Sequence, residues 1–149
     1  RVPINMREIT VPLAAGGIGA YLAEPDGPPW GAVIAIMEIW GVDDPMKAHA
    51  HEFAEAGIIR LVRDLFWRLE PGVILSAGNP DEWLPSLEPY HHFDYDQGAK
   101  DMEGTMTYPR ALDGCNGKVG GVGHCQGGEM CFLMCCRTDI GCAVACYTT

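Results

Sequence analysis

An α/β fold, a mostly parallel sheet flanked by helices, is predicted by three features of the sequence. Gly31 to Met37 is a continuous apolar run, the pattern of a central parallel strand covered on both faces. Strand-like segments alternate with helical patterns of ten or more residues, as in successive βα units. Lys118 to Gly128 reads as a short buried strand, a glycine-crowded turn and then a helix beginning near Gly128.

The elements follow in order. Ile9 to Leu13 and Gly17 to Ala23 alternate or run apolar and are closed by the turn cluster Pro25-Asp26-Gly27-Pro28-Pro29, which suggests an opening hairpin. The Gly31–Met37 strand ends at Glu38-Ile39-Trp40-Gly41, so a carboxylate stands at the sheet's carboxyl edge, where open α/β sheets bind ligands. Asp43 or Asp44 caps a helix with Pro45 in its first turn; Met46, Ala50, Phe53 and Ala54 form its apolar face and Gly57 stops it. Ile58 to Val62 is the next strand, with Arg60 and Arg63 out of character for a core, followed by a long loop through Pro71, Pro80 and Pro85. From about His91 to Leu112 the pattern is helical, shortened or kinked by Pro109. Cys142 to Tyr147 reads as a last strand.

Composition bounds the function. The 149 residues are 48% hydrophobic and 20% charged, which suits a single globular domain over 1–149. Ten Lys and Arg against 20 Asp and Glu give a net charge of −10, without the basic footprint of a nucleic-acid binder or of a protein drawn to an anionic membrane. No apolar run approaches a membrane span, and Arg1 is not followed by a secretory signal. Seven cysteines, an odd number crowded after Cys115, fit reduced thiols in a cytoplasmic protein better than a disulfide framework. The spacing from Cys131 to Cys146 lacks paired C-x-x-C knuckles, so no metal is expected and cysteine as a small core residue is the better account.

Gly123-His124-Cys125-Gln126-Gly127-Gly128 has the G-x-Nu-x-G form of a nucleophile elbow, in which a sharp turn holds the nucleophile at the carboxyl edge of a sheet. Gly123 and Gly127 are a steric demand, because a Cβ at either place would meet the neighbouring strand or helix. Cys125 lies over a helix N-terminus, whose N–H groups and dipole favour negative charge, and the Gln126 N–H points to the same spot.

Taken with Asp64-Leu65-Phe66-Trp67-Arg68, Phe93-Asp94 and Asn116-Gly117-Lys118-Val119-Gly120, the Glu38-Ile39 strand end and the elbow resemble the dienelactone hydrolases, a cysteine-dependent branch of the α/β-hydrolase fold. The resemblance covers nearly the whole chain. It implies a hydrolase of small-molecule esters or lactones that needs no cofactor, with Cys125 as nucleophile and Glu38 helping to ionise its thiol. It also implies an oxyanion hole from the N–H groups of Ile39 and Gln126, and a substrate pocket near Trp40, Trp83, Tyr90 and His124. Trp83 stands near the place where such enzymes carry an arginine for a substrate carboxylate, and His124 and Gln126 replace apolar neighbours of the nucleophile. Triad order in this fold is nucleophile, acid, histidine. After Cys125 there is only Asp139 and no histidine, so the chain resembles the first part of such a domain, with the C-terminal strands missing.

Upstream histidines offer little. His124 is adjacent to Cys125 on a tight turn, so the two side chains should diverge, and His49 and His51 cannot share one helix face. His91-His92 reads as a solvent-exposed helix start. A rival reading is a non-catalytic thiol, redox or metal-handling module built on Cys125, Cys131 and Cys135, the last two spaced to share a helix face.

Overall fold

The computed structural model describes residues 3–28 and 31–148; Pro29, the end of the expected turn cluster, lies outside them, as do Arg1 and Thr149. The described residues form one six-stranded sheet in the order β1-β2-β4-β3-β5-β6. β1 (Ile4–Leu13) and β2 (Gly16–Pro25) make the expected hairpin, and β2 pairs antiparallel with β4 (Ile59–Arg63). β4, β3 (Ala32–Ile36), β5 (Val119–His124) and β6 (Cys142–Cys146) are parallel, so the sheet is mostly parallel and of the α/β-hydrolase type.

The continuous apolar run has the cause anticipated for it. β3 lies between β4 and β5, and Ile34, Ala35, Leu61 and Val62 are fully buried because helices cover the centre of the sheet. Helix α1 (Asp44–Glu55) packs on β1, β2 and β4; α3 (Tyr95–Arg110) and α4 (Gln126–Arg137) pack on each other and on β3 and β5. The core between these layers is rich in methionine, with Met37, Met102, Met106, Met130 and Met134 all fully buried. For α1, Asp43 is the cap: its carboxylate accepts the Met46 N–H at 3.0 Å. Gly57 takes the positive φ of 83° that ends the helix.

Several boundaries differ from expectation for identifiable reasons. The proline-bearing stretch is not all loop: a short 3₁₀ turn (Pro80–Glu82) leads into α2 (Trp83–His91). Pro85 sits in the first turn of α2, where an N–H has no helical acceptor to lose, and Pro89 comes two residues before the end. The helix expected from about His91 to Leu112 is α3, which starts four residues later and ends two earlier than expected. His91 closes α2, and Asp94 caps α3 by accepting the Gln97 N–H at 2.9 Å. Pro109 falls in the last turn of α3 and leaves the helix intact to Arg110. Helix α4 begins at Gln126 rather than near Gly128, and β6 stops at Cys146, one residue short of Tyr147.

The two arginines of β4 are core residues, each 1% exposed. Arg60 lies over the Phe53 ring, 3.8 Å from its centroid, and burial lowers its guanidinium pKa to about 10. Arg63 reaches Asp101 of α3 at 3.8 Å, and burial lowers it to about 10 as well. Among the described residues no helix is long and apolar enough to cross a membrane.

Candidate functional site

The elbow forms as the glycine spacing requires. Cys125 stands between β5 and α4 with φ 53° and ψ −122°, a conformation that L residues adopt only where surrounding structure enforces it. The enforcement is visible. A Cβ on Gly123 would lie 2.0 Å from the Gly127 carbonyl oxygen, and one on Gly127 would lie 2.4 Å from that of Ile36. A Cβ on Gly128 would come within 2.9 Å of the Cys146 carbonyl oxygen on β6. Helix α4 thus abuts the ends of β3 and β6, a fit that only glycine allows at these three positions.

That approach brings the two expected oxyanion donors to one edge of the sheet. Gln126 opens α4, and Ile39 lies in the turn after β3. Neither N–H has a backbone acceptor among the turn and cap hydrogen bonds of the described residues. The Gln126 side chain, polar where an apolar neighbour of the nucleophile is usual, is fully buried. Its contribution at the edge is its backbone.

Glu38 projects from the end of β3, half-buried, and its carboxylate accepts the O–H of Tyr147. Tyr147 was legible in the sequence only as the tail of a strand. It is the first residue past the carboxyl end of β6, with φ 36°, and the Cys125 N–H donates to the neighbouring Cys146 carbonyl at 3.0 Å. Cys125 and Tyr147 are the two non-glycine residues with positive φ among the described residues, and they stand at one place. Its bond to Glu38, then its partial burial and the nearby Glu38 and Cys125 charges, push the Tyr147 phenol up to about 12. It therefore stays a donor near neutral pH. The His124 ring packs against that of Tyr147, centroids 5.6 Å apart, which leaves it turned to the tyrosine. No histidine ring makes a hydrogen bond to Cys125 among the described residues; His49 and His51 lie on α1 and His91 and His92 at the end of α2.

The expected pocket residues fall into two groups. Trp40, 8% exposed, and Trp83 meet edge to face with centroids 5.1 Å apart. Tyr90 lines a separate cavity of about 770 Å³ together with His91, Phe93, Tyr95, Glu129 and Phe132. The Tyr95 O–H donates to Glu129, one helical turn beyond Cys125 on α4. Burial, and then that bond, hold the Tyr95 phenol well above its ordinary value.

The remaining cysteines separate by environment. Cys131 is fully buried, and burial pushes its thiol up to about 12, whereas Cys135, four residues on, is exposed. The two do not share a setting, and the account of cysteine as a core residue fits Cys131 but not Cys135, Cys136 and Cys142, all exposed. Among the described residues no three His, Cys, Asp or Glu side chains are grouped to hold a metal ion.

Carboxymethylenebutenolidase 1 of Cupriavidus pinatubonensis is 31% identical over 134 residues, which cover 90% of this chain and 57% of that enzyme. The carboxymethylenebutenolidase of Pseudomonas putida is 30% identical over 129 residues, covering 87% of this chain and 55% of that one. The chain thus spans about half the length of the curated relatives it matches. In fold, a Klebsiella pneumoniae protein assigned as a dienelactone hydrolase superposes with a TM-score of 0.82 at 22% identity, covering 99% of this chain and 61% of that one. The dienelactone hydrolase of Anabaena variabilis does so with a TM-score of 0.62 at 19% identity, covering 88% and 56%. Residues 18–149 match the dienelactone hydrolase family, and the chain belongs to it.

Proposed function

We propose that this chain carries the nucleophilic half of a cysteine-dependent hydrolase of small-molecule esters or lactones. The observation that carries the reading is the strained Cys125, held at φ 53° over the start of α4 by glycines that no other residue can replace. Cys125 Sγ attacks the carbonyl carbon, and the N–H groups of Ile39 and Gln126 receive the developing alkoxide. Glu38, oriented by the Tyr147 O–H, takes the thiol proton as the S–C bond forms. As the tetrahedral species collapses, Glu38 returns that proton to the departing oxygen, so the C–O bond breaks, the alcohol leaves and Cys125 is acylated. Kinship with carboxymethylenebutenolidases supports the ester or lactone class.

Intact mass and peptide mapping after brief exposure to p-nitrophenyl acetate test the reading: one acetyl group on Cys125 is expected ahead of any on Cys135, Cys136 or Cys142. Those three thiols are exposed and Cys125 is half-buried, so accessibility alone would give the reverse order. Acetylation led by any of the three would overturn the assignment.

Glu38→Gln is expected to slow acylation of Cys125 by about 10²-fold, the low end of general-base effects. The ester concentration at half-maximal rate should hardly move, because the carboxylate acts in the barrier rather than in ground-state contacts. An unchanged rate would reduce Glu38 to a hydrogen-bond acceptor for Tyr147.

A further inference from the structure

The loop from Asp64 to Glu82, between β4 and α2, is tied down along its length by its own groups. The Asp64 carboxylate, 7% exposed, accepts the Phe66 and Gly72 N–H groups at 2.9 and 2.8 Å. Further on, the Glu82 carboxylate accepts the Ser76 N–H and, at 2.9 Å, the Asn79 side-chain amide. The Trp83 Nε1–H donates to the Ala77 carbonyl at 3.1 Å and sets its indole against the backbone that leads to it. Local bonds of this kind hold a segment with little regular structure in one path.

That path runs against the turn after β3. The Leu75 N–H donates to the Trp40 carbonyl at 2.9 Å. Gly41 has a φ of 90°, and a Cβ there would lie 2.1 Å from the Val73 carbonyl oxygen, so turn backbone and loop backbone are in direct contact. Trp40, 8% exposed, meets the Trp83 ring edge to face. All of these contacts fall on the two residues that follow Ile39. The turn is thus held at one end by β3, paired on both sides in the sheet, and at the other by the loop. An oxyanion donor lowers a barrier only when its direction is fixed before the charge develops, and here both ends of its turn are fixed.

We propose that Trp83 is a positioning residue for the oxyanion hole: closing the loop against Trp40, it sets the direction of the Ile39 N–H, and its effect on rate needs no contact with substrate. Trp83 fixes Trp40, and Trp40 with Gly41 fixes the far end of the turn that carries the donor. The link to catalysis rests on the hydrolase reading, whereas the clamp of loop on turn is a matter of structure and is measured apart from it.

Amide hydrogen exchange of the purified chain, read by NMR, tests the clamp. Trp83→Ala is expected to speed exchange at Leu75 by about tenfold, and Trp83→Phe, which keeps a ring against Trp40, to hold it within about twofold of the parent. The Cys125 amide, bonded to the Cys146 carbonyl, should not change. Unchanged exchange at Leu75, or an equal rise at both amides, would overturn the clamp. The link to catalysis is read as the rate of Cys125 acylation by p-nitrophenyl acetate divided by its rate of alkylation by iodoacetamide. Acyl transfer develops an oxyanion, and displacement at a saturated carbon does not. The ratio is expected to fall about tenfold in Trp83→Ala and to return in Trp83→Phe, with the ester concentration at half-maximal rate unmoved. Gly41→Ala, which drives a Cβ into the Val73 carbonyl, should lower the ratio by about 10²-fold, and the Trp83 pair decides the matter alone if that variant does not fold. An equal fall in both rates, or a loss confined to the half-maximal concentration, would overturn the positioning role. A parent chain in which Cys125 takes no acyl group would sink the hydrolase reading instead, with the clamp still decided by exchange at Leu75.

Discussion

Mixed with p-nitrophenyl acetate, these 149 residues are expected to release one equivalent of p-nitrophenolate in a fast phase and then almost stop, and Cys125→Ala is expected to abolish the fast phase. Attack needs only a positioned thiol, a proton acceptor and oxyanion donors, the roles proposed for Cys125, Glu38, and the N–H groups of Ile39 and Gln126. Each oxyanion donor lowers an acyl-transfer barrier by about 2.7–4 kcal/mol, so Cys125 should outpace an exposed thiol by roughly 10²-fold or more. Release of the acyl group is another matter, because water must then be activated by a base on the far side of the thioester, ordinarily a histidine oriented by a carboxylate. His124 is turned to Tyr147, and the other four histidines lie on α1 and at the end of α2. Stopped-flow absorbance on the parent and Cys125→Ala, with mass mapping of the adduct, decides the outcome. Sustained turnover lost in Cys125→Ala would mean that one of His49, His51, His91, His92 or His124 completes the site.

What could be read in the sequence was what local physics determines. The run Gly31 to Met37 had to be covered on both faces, and the glycines around Cys125 had to be glycines; the 2.0 Å and 2.4 Å approaches at Gly123 and Gly127 are the contacts the spacing implied. What could not be read was which distant residues would meet. Tyr147 reaches Glu38 across 109 residues, and nothing in either neighbourhood names the other. A rule of place could have found it, since the residue just past the carboxyl end of a parallel strand beside the elbow faces the ligand edge. The burial of Arg60 and Arg63 was unreadable for the same reason, because their partners, Phe53 and Asp101, lie on helices whose docking the sequence does not announce. The cysteines misled differently. An i, i+4 spacing puts two side chains on neighbouring parts of a helix surface, but the boundary between core and solvent runs between Cys131 and Cys135.

Asp101→Asn is expected to cost about 3–5 kcal/mol of folding stability, and the reason lies in what surrounds that carboxylate. Asp101, 5% exposed, accepts the Trp67 Nε1–H at 3.1 Å, two bonds from Arg68 at 2.7 and 2.8 Å, and the Gln97 amide at 2.9 Å. It is also the carboxylate facing Arg63, whose guanidinium is 1% exposed. Asparagine would present N–H groups to donors and leave Arg63 charged and buried with only the weaker influence of Asp64 to offset it, and the figure belongs to that loss rather than to the half-exposed Arg68 pair. The pH dependence has a definite sign. Burial alone would raise the Asp101 carboxyl, but the bonds from Arg68, Gln97 and Trp67 and the charge of Arg63 together hold it below the usual carboxylate range. A depressed folded-state value contributes stability that is complete above the unfolded value of about 4 and is lost as pH falls through the folded one. Urea denaturation of parent and variant should therefore show the full gap in midpoint at pH 7 and a shrinking gap below about pH 4. Equal midpoints at pH 7 would mean that the bond Arg63 donates to the Met102 sulfur and the charge of Asp64 suffice, and that Arg63 owes nothing to Asp101.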